Sequence, residues 1–161
     1  MSDIDEILSK ESFTIDGREV VLDRNRIFFD EATLGRFQQE MHLWYDYFGA
    51  LLADLEHAYK EAEFAYKDTF DSKFISSKEE GGSDKFAESR ARVDPAVQQA
   101  RGKMLELDKL VNKVKNHMRA WDKGYQNAIS RSYTLRKEME KFNIELYHNR
   151  EDLNIDELDT K

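Results

Sequence analysis

The 161-residue sequence predicts an all-α protein. Its expected form is an antiparallel hairpin of two long heptad-patterned helices, with a small N-terminal helix or extended segment, assembling into a helical homo-oligomer. Three observations carry this reading. Apolar residues recur at three-four spacing through Leu34, Phe37, Met41, Trp44, Phe48, Leu51, Leu55, Ala58, Ala62 and Ala65. The same spacing returns through Val97, Ala100, Met104, Leu107, Val111, Val114, Met118, Trp121, Tyr125, Ala128, Ser132, Leu135, Met139 and Phe142. The only proline, Pro95, stands at the head of the second stretch and interrupts nothing. A period near 3.6 gathers each set on one side of a helix, and so narrow a seam has to be covered by another helix.

Three regions are expected: residues 1–30 as an N-terminal helical turn and short extended or hairpin segment, 31–142 as the hairpin with a flexible loop at about 71–84, and 143–161 as an acidic tail. Within the first, Ser2 can cap a turn that packs Ile4, Ile7 and Leu8 on one side. Phe13 to Ile15, Asp16 and Gly17, then Arg18 to Leu22 have the form of a small hairpin, because Asp-Gly suits a tight I′ turn; strands this short leave an irregular extended segment equally open. Asp30 is the expected cap of the first long helix, with Glu31 in its first turn. The pattern fades near Asp71 and Ser72, and Gly81, Gly82 and Ser83 mark the connection. A short helical piece follows at Lys85 to Arg92. Asp94 and Pro95 then start the second long helix, since aspartate caps free amides and proline is preorganised at the first helical position. Gly102 and Gly124 are expected off the seam, each costing about 1 kcal/mol relative to alanine. The tail, with Leu153, Ile155 and Leu158 among acidic residues, is expected to order only on a partner.

Two helices of about forty residues would each reach about 60 Å, which leaves no thick core. With 36% of residues charged, much of the surface stays wet unless other subunits cover it, and this favours a homo-oligomer. The sequence has no cysteine, so disulfide and thiolate chemistry are excluded. No apolar run approaches a membrane span and the N-terminus is too acidic for a leader, so the expected location is cytoplasmic, in a host cell if the chain is phage-encoded.

The net charge of -8 is unevenly spread. Residues 1–60 carry 6 basic and 13 acidic side chains, and residues 61–100 carry 6 and 9. Residues 101–141 reverse the balance with 11 and 5, a net +6, before residues 142–161 return to 2 and 6. Local fields rather than totals decide polyanion binding.

Chemistry-bearing motifs are few. Asp54 and His57 lie three apart, but a di-iron bundle needs two such pairs with further glutamates, and the second helix offers only His117; His42 and His148 also lack ligand-spaced partners. No metal, no cofactor and no catalytic residue is expected. There is no GxSxG, no phosphate-cradling glycine-lysine loop and no glycine-rich strand-to-helix turn. A basic and aromatic constellation remains: Lys60, Lys67, Lys73, Lys78, Lys85, Arg90 and Arg92, interleaved with Tyr59, Tyr66, Phe70, Phe74 and Phe86. Cations neutralise phosphates while aromatic faces stack on bases, a combination suited to unpaired strands. The same lysines can instead pair with Glu61, Glu63, Asp68, Asp71 and Glu79 and only solvate a helix end. A second basic set, Arg101, Lys103, Lys109, Lys113, Lys115, Arg119 and Lys123, is spread around its helix rather than forming one stripe.

The layout of an acidic N-terminus, "FTID" at Phe13 to Asp16, a long helix, a glycine-containing loop, "DKFAES" at Asp84 to Ser89 and a second long helix resembles the bacteriophage UvsY-like recombination mediators, over roughly residues 3 to 135. That resemblance implies a noncatalytic, ring-forming homo-oligomer that binds single-stranded DNA and helps place a strand-exchange recombinase on strands covered by single-strand-binding protein. The family's basic DNA-binding positions correspond to a stretch that here includes Lys60 and Lys67. The chain departs from the pattern in carrying Glu61 and Glu63 there and in its longer, more acidic C-terminus. The rival reading is a structural or adaptor coiled coil with no nucleic-acid binding; a curved membrane-binding dimer is a third.

Overall fold

A computed structural model describes residues 10–15 and 17–156, with side chains described as far as residue 146. The expected turn at Ser2 to Ser9 lies outside the described residues, as do the side chains of the acidic tail from residue 147 on.

The chain opens with an antiparallel hairpin, β1 (Glu11–Ile15) and β2 (Arg18–Leu22), in which Phe13 faces Val20 and Glu11 faces Leu22. Gly17 takes a positive φ of 76° at the turn, a conformation that glycine adopts without a Cβ penalty. Period-two alternation turns Val20 and Leu22 inward, where they are buried, and leaves Val21 exposed. A 3₁₀ turn at Arg24–Ile27 follows, with Asp23 accepting the Asn25 N–H at 3.1 Å.

Asp30 is the predicted cap, and it acts reciprocally with Thr33. The Asp30 carboxylate accepts the Thr33 N–H at 2.8 Å, while the Thr33 hydroxyl oxygen accepts the Asp30 N–H at 2.9 Å. These bonds close a turn over residues 31–33, and α1 (Leu34–Glu79) starts after it with Thr33 at its N-cap and no side-chain cap, so neither Asp30 nor Glu31 takes the place expected for it at the helix start. Gly81, at φ 90°, closes that helix by donating its N–H to the Lys78 carbonyl at 2.9 Å. α2 (Asp84–Val93) starts at Ser83, whose hydroxyl accepts the Phe86 N–H. Asp94 then accepts the Ala96 N–H at 2.9 Å and starts α3 (Pro95–Asp156), a helix of 62 residues that extends about 93 Å.

α1 and α3 run antiparallel. Gln38 donates to the Ser132 hydroxyl at 2.9 Å near one end, and Lys115 pairs with Glu56 at 2.7 Å further along. The core between them holds Phe37, Met41, Phe48 and Leu55 against Val111, Val114, Trp121 and Ala128, with Val20 and Leu22 of the hairpin on top. Trp44, Leu51, Leu107, Met118 and Tyr125 pack half-buried against the same cluster. Trp121, only 2% exposed, is the centre: its ring stacks 5.7 Å from Phe37 and 6.1 Å from Trp44. Each such large side chain contributes about 1.5–3 kcal/mol by leaving water.

Beyond the start of α1, the structure differs from the sequence reading in four places. The loop expected at about 71–84 contracts to residues 80–83, because α1 continues through Asp71 and Ser72 to Glu79; both residues are exposed and cost a helix little there. α3 continues past Phe142 to Asp156. Met139 and Phe142, at the end of the second seam, are 66% and 60% exposed, because α1 begins at Leu34 and no described residue covers them. Gly124 is buried against the 3₁₀ turn: a Cβ there would lie 2.7 Å from the Ile27 methyl, so its place is a close helix-to-turn approach.

Candidate nucleic-acid interface

The end of the hairpin where α1, α2 and α3 meet brings together the basic and aromatic residues that the sequence singles out. α2 folds back because Ala87 and Ala91, both fully buried, let it lie close on its neighbours. Tyr66 and Phe70 stand with ring centroids 6.4 Å apart, and Phe70 stacks on Phe74 at 6.4 Å. Tyr66 and Phe70 also line a cleft of about 480 Å³ with Glu88, Arg92, Arg101, Met104 and Leu105, which places an aromatic wall beside two guanidinium groups, one of them paired with the Glu88 carboxylate. Arg101 and Leu105 belong to the basic second helix, so only the folded chain shows that they join this set.

Most of the predicted cations at this end are matched by carboxylates. Lys67 pairs with Glu63 at 2.8 Å, Lys73 with Asp94 at 3.1 Å and Arg92 with Glu88 at 2.6 Å; Lys78 pairs with Asp84, and Arg90 with Glu80. Of the partners foreseen from sequence only Glu63 is used; the others come from the connection, α2 and the Asp94 cap. The Glu63 carboxylate raises the Lys67 pKa, and Lys73 beside Asp94 lowers the pKa of that carboxyl. Lys60 and Lys85 are exposed, with no carboxylate in ion-pair reach among the described residues. Exposed pairs of this kind are each worth about 0–1 kcal/mol, so a phosphate can displace one, but their charges cancel in the local field.

On α3 the balance is different. Lys113 pairs with Glu11 at 2.7 Å and Lys115 with Glu56 at 2.7 Å, and both carboxyl pKa values fall in consequence. Arg101, Lys103, Lys109 and Lys123 are exposed and have no ion-pair partner among the described residues, and Arg119 donates only to the neutral Asn116 side chain at 3.4 Å. Arg131 likewise pairs with Glu31, so three of the six surplus charges of residues 101–141 are matched by carboxylates outside that segment and three stay unmatched.

A larger cleft, of about 930 Å³, lies between the β-hairpin and the long helices, floored by Trp44, Phe48, Trp121 and His117. His117 is 5% exposed, and its Nε2 accepts the Trp121 indole N–H at 2.9 Å, which fixes the ring proton on Nδ1. Burial and the Arg24 charge push its pKa down, against the opposing pull of Asp23 and Glu11. His117 is thus a core histidine. His57 is exposed beside Glu61 at 3.7 Å. Among the described residues no group of three or more His, Cys, Asp or Glu could hold a metal ion, and no helix is long and apolar enough to cross a membrane. Compared with protein families, with curated proteins and with solved structures, the chain finds no match.

Proposed function

We propose that this chain is a recombination mediator: a homo-oligomer that binds single-stranded DNA and promotes loading of a strand-exchange recombinase onto strands covered by single-strand-binding protein. The observation that supports it most is the cleft in which Tyr66 and Phe70 stand beside Arg101, which has no ion-pair partner among the described residues, and beside Arg92, which Glu88 of the same cleft pairs. Aromatic faces accept any unstacked base, and guanidinium groups neutralise the phosphates on either side, which favours unpaired strands without regard to sequence. The resemblance to UvsY-like mediators points the same way. The chain itself catalyses no reaction in this reading; it holds a strand in a form that a recombinase can take over.

The overhang of α3 supports the assembly in this reading. Leu135, Met139, Phe142 and Leu146 continue the seam beyond the start of α1, and the last three are exposed. A second copy of the overhang covers them in the proposed oligomer, and several weak strand contacts then act as one strong site. The test is recombinase filament assembly on single strands precoated with single-strand-binding protein. Adding the full chain should shorten the lag and raise the extent of assembly; no change at any ratio of chain to strand contradicts the proposal. The second reading, an adaptor coiled coil, is favoured by the carboxylate pairing of Lys67, Lys73, Lys78, Arg90 and Arg92. It predicts an assembled chain indifferent to DNA.

A further inference from the structure

We infer that the phosphate track of the bound strand is the outward face of α3, running from the aromatic cleft along Arg101, Lys109, Arg119 and Lys123, and not the connection between the long helices. This inference rests on the single-strand-binding reading and locates its main contact surface. Positions 101, 105, 109, 112, 116, 119 and 123 follow three-four spacing, and every one is exposed. Positions 104, 107, 111, 114, 118 and 121, on the opposite side, are buried or half-buried against α1. The outward set therefore forms one face of the helix.

Three features make that face a phosphate surface. No acidic residue occupies any of its seven positions; Asp108, three residues after Leu105, and Asp122, three after Arg119, border the face, and among the described residues neither forms an ion pair with its cations. The lysines that do pair across the fold, Lys113 and Lys115, lie on the flanks and reach Glu11 and Glu56, and the outward cations have no ion-pair partner among the described residues. The polar positions between the cations are Asn112 and Asn116, whose amide N–H groups can donate to phosphate oxygens. By contrast, the cations around the connection sit in a segment that carries 6 basic and 9 acidic side chains.

The face is also continuous with the cleft, because Arg101 and Leu105 belong to both. A strand that stacks bases at Tyr66 and Phe70 has its backbone at the head of this track. From Arg101 to Lys123 the track covers about 33 Å at 1.5 Å per residue, a useful length for an extended strand. Single-stranded nucleic acid is favoured over an anionic membrane because Leu105 is the only apolar residue among the seven, too little for insertion between lipids.

The experiment is fluorescence anisotropy of a labelled oligo-dT strand with the full-length chain across a salt series. The triple variant Lys109→Glu, Arg119→Glu, Lys123→Glu is compared with Lys73→Glu, Lys78→Glu, Arg90→Glu, and a milder Lys109→Gln, Arg119→Gln, Lys123→Gln chain is run beside them. Circular dichroism and light scattering check fold and assembly. The outward charge reversal should weaken binding at least about tenfold, and the glutamine chain should lower the magnitude of the log K against log salt slope by about 2, for three lost phosphate contacts. The connection variant should stay within about threefold of the parent. Wild-type binding that survives both outward variants with an unchanged slope overturns the track and leaves the single-strand reading standing. A wild-type chain that binds no strand at low salt overturns both.

Discussion

At His117 and Trp121 a single hydrogen bond decides the charge state of the core. The indole N–H takes Nε2, so a second proton could enter only by breaking that bond inside a buried aromatic cluster. The folded pKa of His117 lies below that of the unfolded chain. The unfolded chain then takes up the proton first, so the stabilisation is complete above about pH 6.5 and is lost as pH falls below that value. Urea midpoints should decline over this window, and His117→Leu should flatten that decline while costing about 1–3 kcal/mol at neutral pH, because the Trp121 N–H loses its acceptor. The two helical glycines separate in the same way. Gly102 has open space around it, so Gly102→Ala should stabilise by about 1 kcal/mol. Gly124→Ala forces a Cβ to within 2.7 Å of Ile27, a β-branched side chain with little room to yield. It should therefore destabilise by about 1–3 kcal/mol despite the better helix propensity. Thermal unfolding of the two variants side by side checks the contrast.

At the level of elements, local signals in the sequence locate beginnings better than ends. Asp94 caps where its side-chain chemistry predicts, and Gly17 turns the hairpin that such short strands alone leave open, whereas α1 begins at Leu34 with Thr33 and not Asp30 at its N-cap. Asp94→Ala removes both the amide cap and the Lys73 ion pair, and should cost about 1–2 kcal/mol in denaturant unfolding. The ends of α1 and of the seam are set by tertiary partners. α1 runs through Asp71 and Ser72 because Phe70 and Phe74 stack and Ser77 is buried at the α2 junction, and none of those contacts is visible as periodicity. The off-seam place expected for Gly124 fails for a similar reason: its neighbour is the 3₁₀ turn, almost a hundred residues earlier in the chain. The cleft is half legible. Tyr66, Phe70 and Arg92 stand out by composition, whereas Arg101 and Leu105 join them only when α3 folds back along α1.

For the whole molecule, the long hairpin divides its charge in space as well as in sequence. Carboxylates of α1 and the hairpin neutralise the cations that face them, and the outward side of α3 keeps its surplus. Assembly would multiply that surplus. Met139→Glu combined with Phe142→Glu should reduce the assembled chain to smaller species in light scattering with helical content unchanged, and strand affinity should fall more than about tenfold as the sites separate. An unaltered mass would remove the α3 overhang from the assembly interface. The most direct measurement of the central claim is the affinity of the intact chain for a labelled single strand as a function of salt. A steep inverse dependence, with log K falling by about 0.7 per log salt for each phosphate contact, is predicted despite the net charge of -8. Absence of binding at the lowest salt, or binding that salt leaves unchanged, contradicts the account.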